Sequence, residues 1–236
     1  MPSTEELTAG YRVGERGYRR ISIALFVAGV ATFALLYSTQ ALLPEFPRAF
    51  DVSAAQSTLT VSLTTVGLGV ALLLAGPLSE VVGRTRLIHS SLTASAVVGL
   101  ACAAAPTWEA LLGLRLLEGI TLAGLPAVAT AYLREELHPG THARAAGLYI
   151  GGTALGGMTG RLVTGLVADL AGWRWALAAI GVVALGCAVA VRVLLPASRN
   201  FVPVPARPGV LAAMTRRALS DPGLLALYGI AHAPMP

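Results

Sequence analysis

Six apolar runs of roughly 20 residues or more, separated by short polar turns, restrict this chain more than any other feature. A helix rises 1.5 Å per residue, so a run of that length matches the ~30 Å hydrocarbon layer of a bilayer. The runs cover residues 21–43, 58–79, 87–105, 110–133, 143–168 and 173–195. With 55% apolar and only 12% charged residues, the composition excludes an ordinary soluble domain. In lipid every backbone polar group must be satisfied inside the protein, which leaves helices or a closed barrel. Uninterrupted runs lack the alternation of barrel strands. The predicted fold is an all-α membrane protein with six transmembrane helices. The first run is too long, and has too many successors, to be a cleaved signal peptide.

Arginine sets the expected orientation. All 17 basic residues are arginine, and with both ends of the six-span unit inside, 13 of them fall on cytoplasmic segments. Arg48 and Arg174 fall outside, and Arg115 and Arg161 within spans. The N-terminus and the segment after the sixth span are therefore expected in the cytoplasm. The net charge of +5 reads as topology, and no basic face on a soluble domain points to nucleic acid. Trp108, Trp173 and Trp175 lie at the outer helix ends, where indole rings anchor at headgroups. Cys102 and Cys187 sit inside spans and read as small packing residues without a disulfide framework. His138 and His142 are separated by Pro139 and Gly140, which breaks any shared helical face, so no metal is expected. No nucleophile with a positioned base and no phosphate loop is recognisable. The chain is not expected to be an enzyme or to carry a cofactor.

A repeat lies beneath the spans. Gly76, Glu80, Gly83 and Arg86 answer to Gly165, Asp169, Gly172 and Arg174, at an offset of 89 residues with the last arginine one position closer. Three helices separate the copies, and an odd number inverts the second copy in the membrane. This is the 3+3 inverted repeat of secondary transporters.

The segment 76–86 resembles the signature between helices two and three of the major facilitator superfamily, with Gly76, Leu78, Glu80, Gly83, Arg84 and Arg86 in its places. Arg115 to Gly119, RLLEG, looks like the family's helix-four motif, and the glycine-rich fifth span is similar to its antiporter motif. With YSTQALLP at 37–44, the chain most resembles the efflux permeases of the YnfM type, over roughly residues 20 to 230. It departs from the pattern at Glu80, where aspartate is usual, at Val81, where a basic residue is usual, and at Arg161, where proline is usual after glycine. The resemblance implies a bacterial-type inner-membrane transporter for proton-coupled efflux of a small molecule. It also implies that Gly76, Glu80, Gly83, Arg84 and Arg86 form a gating loop, in which Glu80 pairs with Arg84 or Arg134. The rival reading of that loop is a solvated turn that only enforces topology.

Charges inside a span need a reason, since each costs about 2.5–3.5 kcal/mol at mid-helix. Arg115, Glu118 and Arg161 lie at similar depth, roughly 9–14 Å below the outer surface at 1.5 Å per residue, and are expected to meet in one layer. Arg115 and Glu118, three apart, share a helix face and can pair, which leaves Arg161 as surplus positive charge for an anionic substrate. Pairing also means that proton exchange at Glu118 requires the arginine to move away. A structural ion network is the alternative. Tyr37 and Gln40, with Ser38 and Thr39, bring polar groups to the same depth, although hydroxyls in membrane helices often bond their own backbone. Gly152, Gly156 and Gly160 form a close-packing face, which the resemblance aligns with a second half of the transporter. Pro126 is expected to kink the fourth span.

The domain plan is a tail at 1–20, a six-helix half-transporter at 21–195, a proline- and arginine-rich linker at 196–220 and the start of a seventh helix at 221–236. Asp221 and Pro222 suit its N-cap and first position. The family's fold has twelve helices, so transport is expected to need a second six-helix half or a homodimer partner, besides the bilayer and a small-molecule substrate. The alternatives are an inactive fragment and a membrane interaction protein without transport.

Overall fold

The computed structural model describes residues 10–201, together with Gly209, Arg216 and Ser220. Most of the expected linker and the whole of the expected seventh helix lie outside the described residues. Helix α1 (Arg16–Tyr37) tightens into a 3₁₀ turn over Ser38–Leu42. Pro44 lacks an N–H and its ring crowds the carbonyl of Gln40, which favours the change from α to 3₁₀ geometry before the end of the expected span. Two short helices follow, α2 (Phe46–Phe50) and α3 (Ala54–Ser57). Asp51 in the left-handed region ends the first, and a Ser53–Gln56 capping box opens the second. The long helices α4 (Leu59–Val82) and α5 (Arg84–Ala103) come next. The fourth expected span divides into α6 (Trp108–Leu122) and α7 (Gly124–Glu136). The break at Ala123 lies three residues before Pro126, as expected when proline offers no N–H to the carbonyl of Leu122. Helices α8 (His142–Ala171) and α9 (Trp173–Leu194) complete the unit.

The architecture is all-α; the β pairing among the described residues is a single isolated bridge between Tyr11 and Leu137. Five stretches are long and apolar enough to cross a membrane: Arg16–Leu42, Ala54–Val82, Arg84–Ala103, Trp108–Glu136 and Trp173–Leu194. The expected fifth span lies within α8, whose 30 residues are long enough but whose seven glycines and Arg161 leave it less apolar. Outward-facing residues are apolar as well, with Leu166, Leu170 and Val193 all more than half exposed. Such a surface is suited to lipid.

Two matching seams hold the unit together. Helix α8 packs on α1, and α4 packs on α6. A Cβ on Gly152 would lie 2.5 Å from the Phe26 carbonyl oxygen, and one on Gly160 would lie 2.6 Å from that of Ala34. The Gly152–Gly156–Gly160 face is therefore filled by the first helix of the same unit and is not left for a second half. Gly67, 89 residues before Gly156, presses equally closely on the Leu116 carbonyl across the other seam. Helix pairs related by the inverted repeat thus pack alike.

The tryptophans divide. Trp108 and Trp173 are buried with Phe46 and Phe50 in an aromatic cluster whose ring centroids lie 5.2–6.3 Å apart, while Trp175 is 68% exposed. Only Trp175 keeps the position expected of an interfacial anchor. The other two found a better apolar partner in the α1–α4 connection, which folds over the helix ends.

Candidate functional site

The segment 76–86 is not a loop. It comprises the last turns of α4, the single residue Gly83 and the first turn of α5. Gly83 has φ 102° and ψ 142°, a conformation essentially restricted to glycine. This tight joint turns Arg84 inward, and Arg84 donates to Glu80 at 2.5 Å, to Glu135 at 3.0 and 3.1 Å, and to the Ser79 hydroxyl. Of the two cations expected for Glu80, Arg84 holds it; Arg86 is exposed. A second acid, Glu135 of α7, joins them, while its neighbour Arg134, the other cation expected for Glu80, forms no ion pair among the described residues. The REE run at 134–136 carried that signal. The next acid, Glu136, is buried and accepts the backbone N–H groups of Arg199 at 2.7 Å and Asn200 at 3.2 Å. The Phe201 ring lies beneath the Arg84 guanidinium at 5.4 Å.

The second copy is built differently. Gly172 (φ 86°, ψ 168°) joins α8 to α9 by the same single-residue turn. Trp173 stands where Arg84 stands in the first copy, and Arg174 stacks on its ring at 4.3 Å. Arg174 also donates to the carbonyls of Ala103 and Ala105 at 3.0 and 2.9 Å. Asp169, the counterpart of Glu80, is exposed and forms no ion pair among the described residues.

Deeper in the unit, Arg115 and Glu118 pair at 2.5 Å and are both almost completely buried. Arg115 also donates to the carbonyls of Leu35 at 3.3 Å, Leu36 at 3.1 Å and Thr60 at 3.2 Å, which links α6 to α1 and α4. Glu118 accepts from the Cys102 thiol at 3.6 Å through one oxygen, and its other oxygen has no partner among the described residues. Cys102 had given no sequence signal beyond packing.

Arg161 does not join this layer. It is exposed, donates to the Gln40 amide oxygen at 2.5 Å and lies over the Tyr37 ring at 4.4 Å. Both arginines contact the end of the first helix, but Arg115 is sealed in the bundle and Arg161 lies on its surface. The Ser38 hydroxyl returns to the Leu35 carbonyl at 2.8 Å, while the buried Thr39 hydroxyl has no partner among the described residues. His138 caps the 3₁₀ turn Pro139–Thr141, and His142 bonds the Leu137 carbonyl at 2.8 Å.

Helices of membrane-crossing length, with matching seams at an offset of 89 residues and a sealed ion pair, define a polytopic helical membrane protein with an internal repeat of the kind found in secondary transporters. A family profile described as Major Facilitator Superfamily matches residues 21–234. The chain belongs to that superfamily. It is 42% identical over 217 residues to the MFS-type transporter YybF of Bacillus subtilis (strain 168), covering 92% of this chain and 54% of that one. It is 40% identical over 215 residues to the inner membrane transport protein YnfM of Escherichia coli (strain K12), covering 91% and 52%. The fold is similar to that of the proton:xylose symporter XylE, with a TM-score of 0.67 at 13% identity, covering 90% of this chain and 51% of that one. The chain spans about half the length of the curated relatives it matches.

Proposed function

We propose that this chain supplies the first six-helix unit of a secondary transporter that exports a small molecule in exchange for protons, with the arginine-rich end in the cytoplasm. Substrate meets the face made by Arg161, Gln40 and Tyr37. The observation that carries this reading is the exposure of Arg161, a cation on the open side of the unit held by an amide and an aromatic ring. Arg115 and Glu118 lie behind that face as an internal strut, and Glu118, with one oxygen unmet, is the carboxylate that takes the proton when Arg115 leaves it. Gly76, Glu80, Gly83, Arg84 and Arg86 belong to the cytoplasmic gate, where Arg84 is the latch between Glu80 and Glu135. A second six-helix unit, or a second copy of this one, closes the pathway.

Uptake into proteoliposomes of a panel of radiolabelled organic anions, with an imposed pH gradient, tests this. Gradient-driven flux that Arg161→Gln lowers by about tenfold or more fits loss of a charge-assisted contact. Flux unaffected by that change would remove the proposed substrate face, and no flux from the wild-type chain would mean that it does not transport by itself.

A further inference from the structure

The α1–α8 seam opens toward the arginine-rich end. At Gly152 the helices touch backbone to backbone, yet a Cβ on Gly147 would meet nothing within 4 Å. There a cavity of about 460 Å³ is lined by Tyr18, Arg19, Ser22, Ile23, Arg144 and Leu148. Its lining includes two exposed arginines and no carboxylate, and neither arginine forms an ion pair among the described residues. The adjacent Arg20 is committed elsewhere, donating to the carbonyls of Val193 and Leu194 at 2.8 and 3.1 Å. Ser22 supplies an independent observation: its residue is 4% exposed and its hydroxyl has no hydrogen-bond partner among the described residues. A buried hydroxyl without a partner costs stability unless something fills the site.

Two like charges at the rim of one cavity favour an anion between them, and guanidinium groups bind oxyanions with strong, directed hydrogen bonds. The deeper wall differs. Ile23 and Leu148 are 45% and 41% exposed, offering an apolar strip that runs from the arginines toward the membrane interior. We propose that this cavity binds an amphipathic oxyanion, whose phosphate or carboxylate head sits between Arg19 and Arg144, accepts from the Ser22 hydroxyl, and leaves its apolar part against Ile23 and Leu148. The ligand comes either from the facing leaflet, as an anionic phospholipid, or from solution. The site is independent of whether this chain transports.

The test is a binding titration of the whole chain in neutral detergent, with bound ligand counted by native mass spectrometry. The probes are dioleoylphosphatidylglycerol against dioleoylphosphatidylcholine, and octyl phosphate against octanol. At least one anionic probe binds with a stoichiometry of one and more tightly than its uncharged or zwitterionic counterpart. Arg19→Gln with Arg144→Gln weakens it by about tenfold or more, as expected for lost charge-assisted hydrogen bonds. Ser22→Ala weakens it less. Arg12→Gln with Arg192→Gln removes the same charge from the same end outside the cavity, and changes binding by less than about twofold because exposed charges at a distance are screened. Phosphatidylglycerol binding without octyl phosphate binding assigns a lipid source; the reverse assigns a soluble one. If neither anion outbinds its counterpart, or if both double variants lose affinity equally, the site is overturned.

Discussion

The joints at Gly83 and Gly172 are the same turn built with opposite chemistry. Each uses one positive-φ glycine to reverse the chain between two long helices, at positions 89 residues apart. At Gly83 the following residue is Arg84, buried and held by two carboxylates from α4 and α7. At Gly172 it is Trp173, packed among aromatic rings, while Arg174 bonds backbone carbonyls and the matching acid is left in solvent. The backbone thus retains the repeat while the side chains have diverged. An ionic joint can be released by separating charged partners, whereas an aromatic joint with carbonyl bonds resists salt and behaves as a fixed corner. That difference is what the proposed gate at the arginine-rich end draws on.

The comparison breaks first at Arg84. Arg84→Leu leaves two carboxylates without their cation and is expected to cost about 2–3 kcal/mol, below a fully buried pair because both acids keep part of their surface in solvent. Unfolding in mixed detergent micelles measures it, and a loss below half a kcal/mol (roughly the surface-substitution range) would reduce the network to decoration. Next, Gly83→Ala and Gly172→Ala should each cost about 1–2 kcal/mol, since neither backbone conformation suits an L side chain. Unequal losses would show that the joints are not equivalent as turns. Arg174→Gln should cost about 1 kcal/mol through its carbonyl bonds and respond little to added salt. Finally, Glu80→Gln should cost about 0.5 kcal/mol and lose that effect in high salt, whereas Asp169→Asn should stay within measurement error of zero. Equal effects from the two acids would remove the asymmetry.

The sequence carried the spacing of this architecture better than its azimuth. The offset of 89 residues identified both joints, because a turn that only glycine can make leaves a fixed mark in the sequence. Counting residues along a helix brought Arg115 and Arg161 to the same end of the first helix, and both contact it, Arg115 through Leu35 and Leu36 and Arg161 through Tyr37 and Gln40. Which way a helix is rotated about its axis depends on neighbours that the count does not include. For that reason Arg161, expected beside Arg115, lies on the open face, and the Gly152–Gly160 stripe, assigned to a second half, is occupied by α1. Arg84 and Arg86 could not be ranked from spacing alone. The short helices over 46–57 hide Trp108 and Trp173, and a polar connection gives little warning that it will fold back over the aromatic rings.

The bonds from Arg115 to the carbonyls of Leu35 and Leu36 have a consequence for biosynthesis. Alpha-helix α1 leaves the ribosome long before α6, and its end is where the guanidinium of Arg115 must arrive. Alone in lipid, α6 would carry both Arg115 and Glu118, two ionisable groups that are costly at mid-helix even as a pair, and Arg115 would lack its carbonyl acceptors. In company, it finds an acceptor surface already in place. The segment 108–136 should therefore insert poorly when translated by itself, insert well behind residues 1–107, and become indifferent to that company after Arg115→Leu with Glu118→Leu, as glycosylation mapping in microsomes would report. The order in which the helices are made is also the order in which each can be tolerated by the membrane.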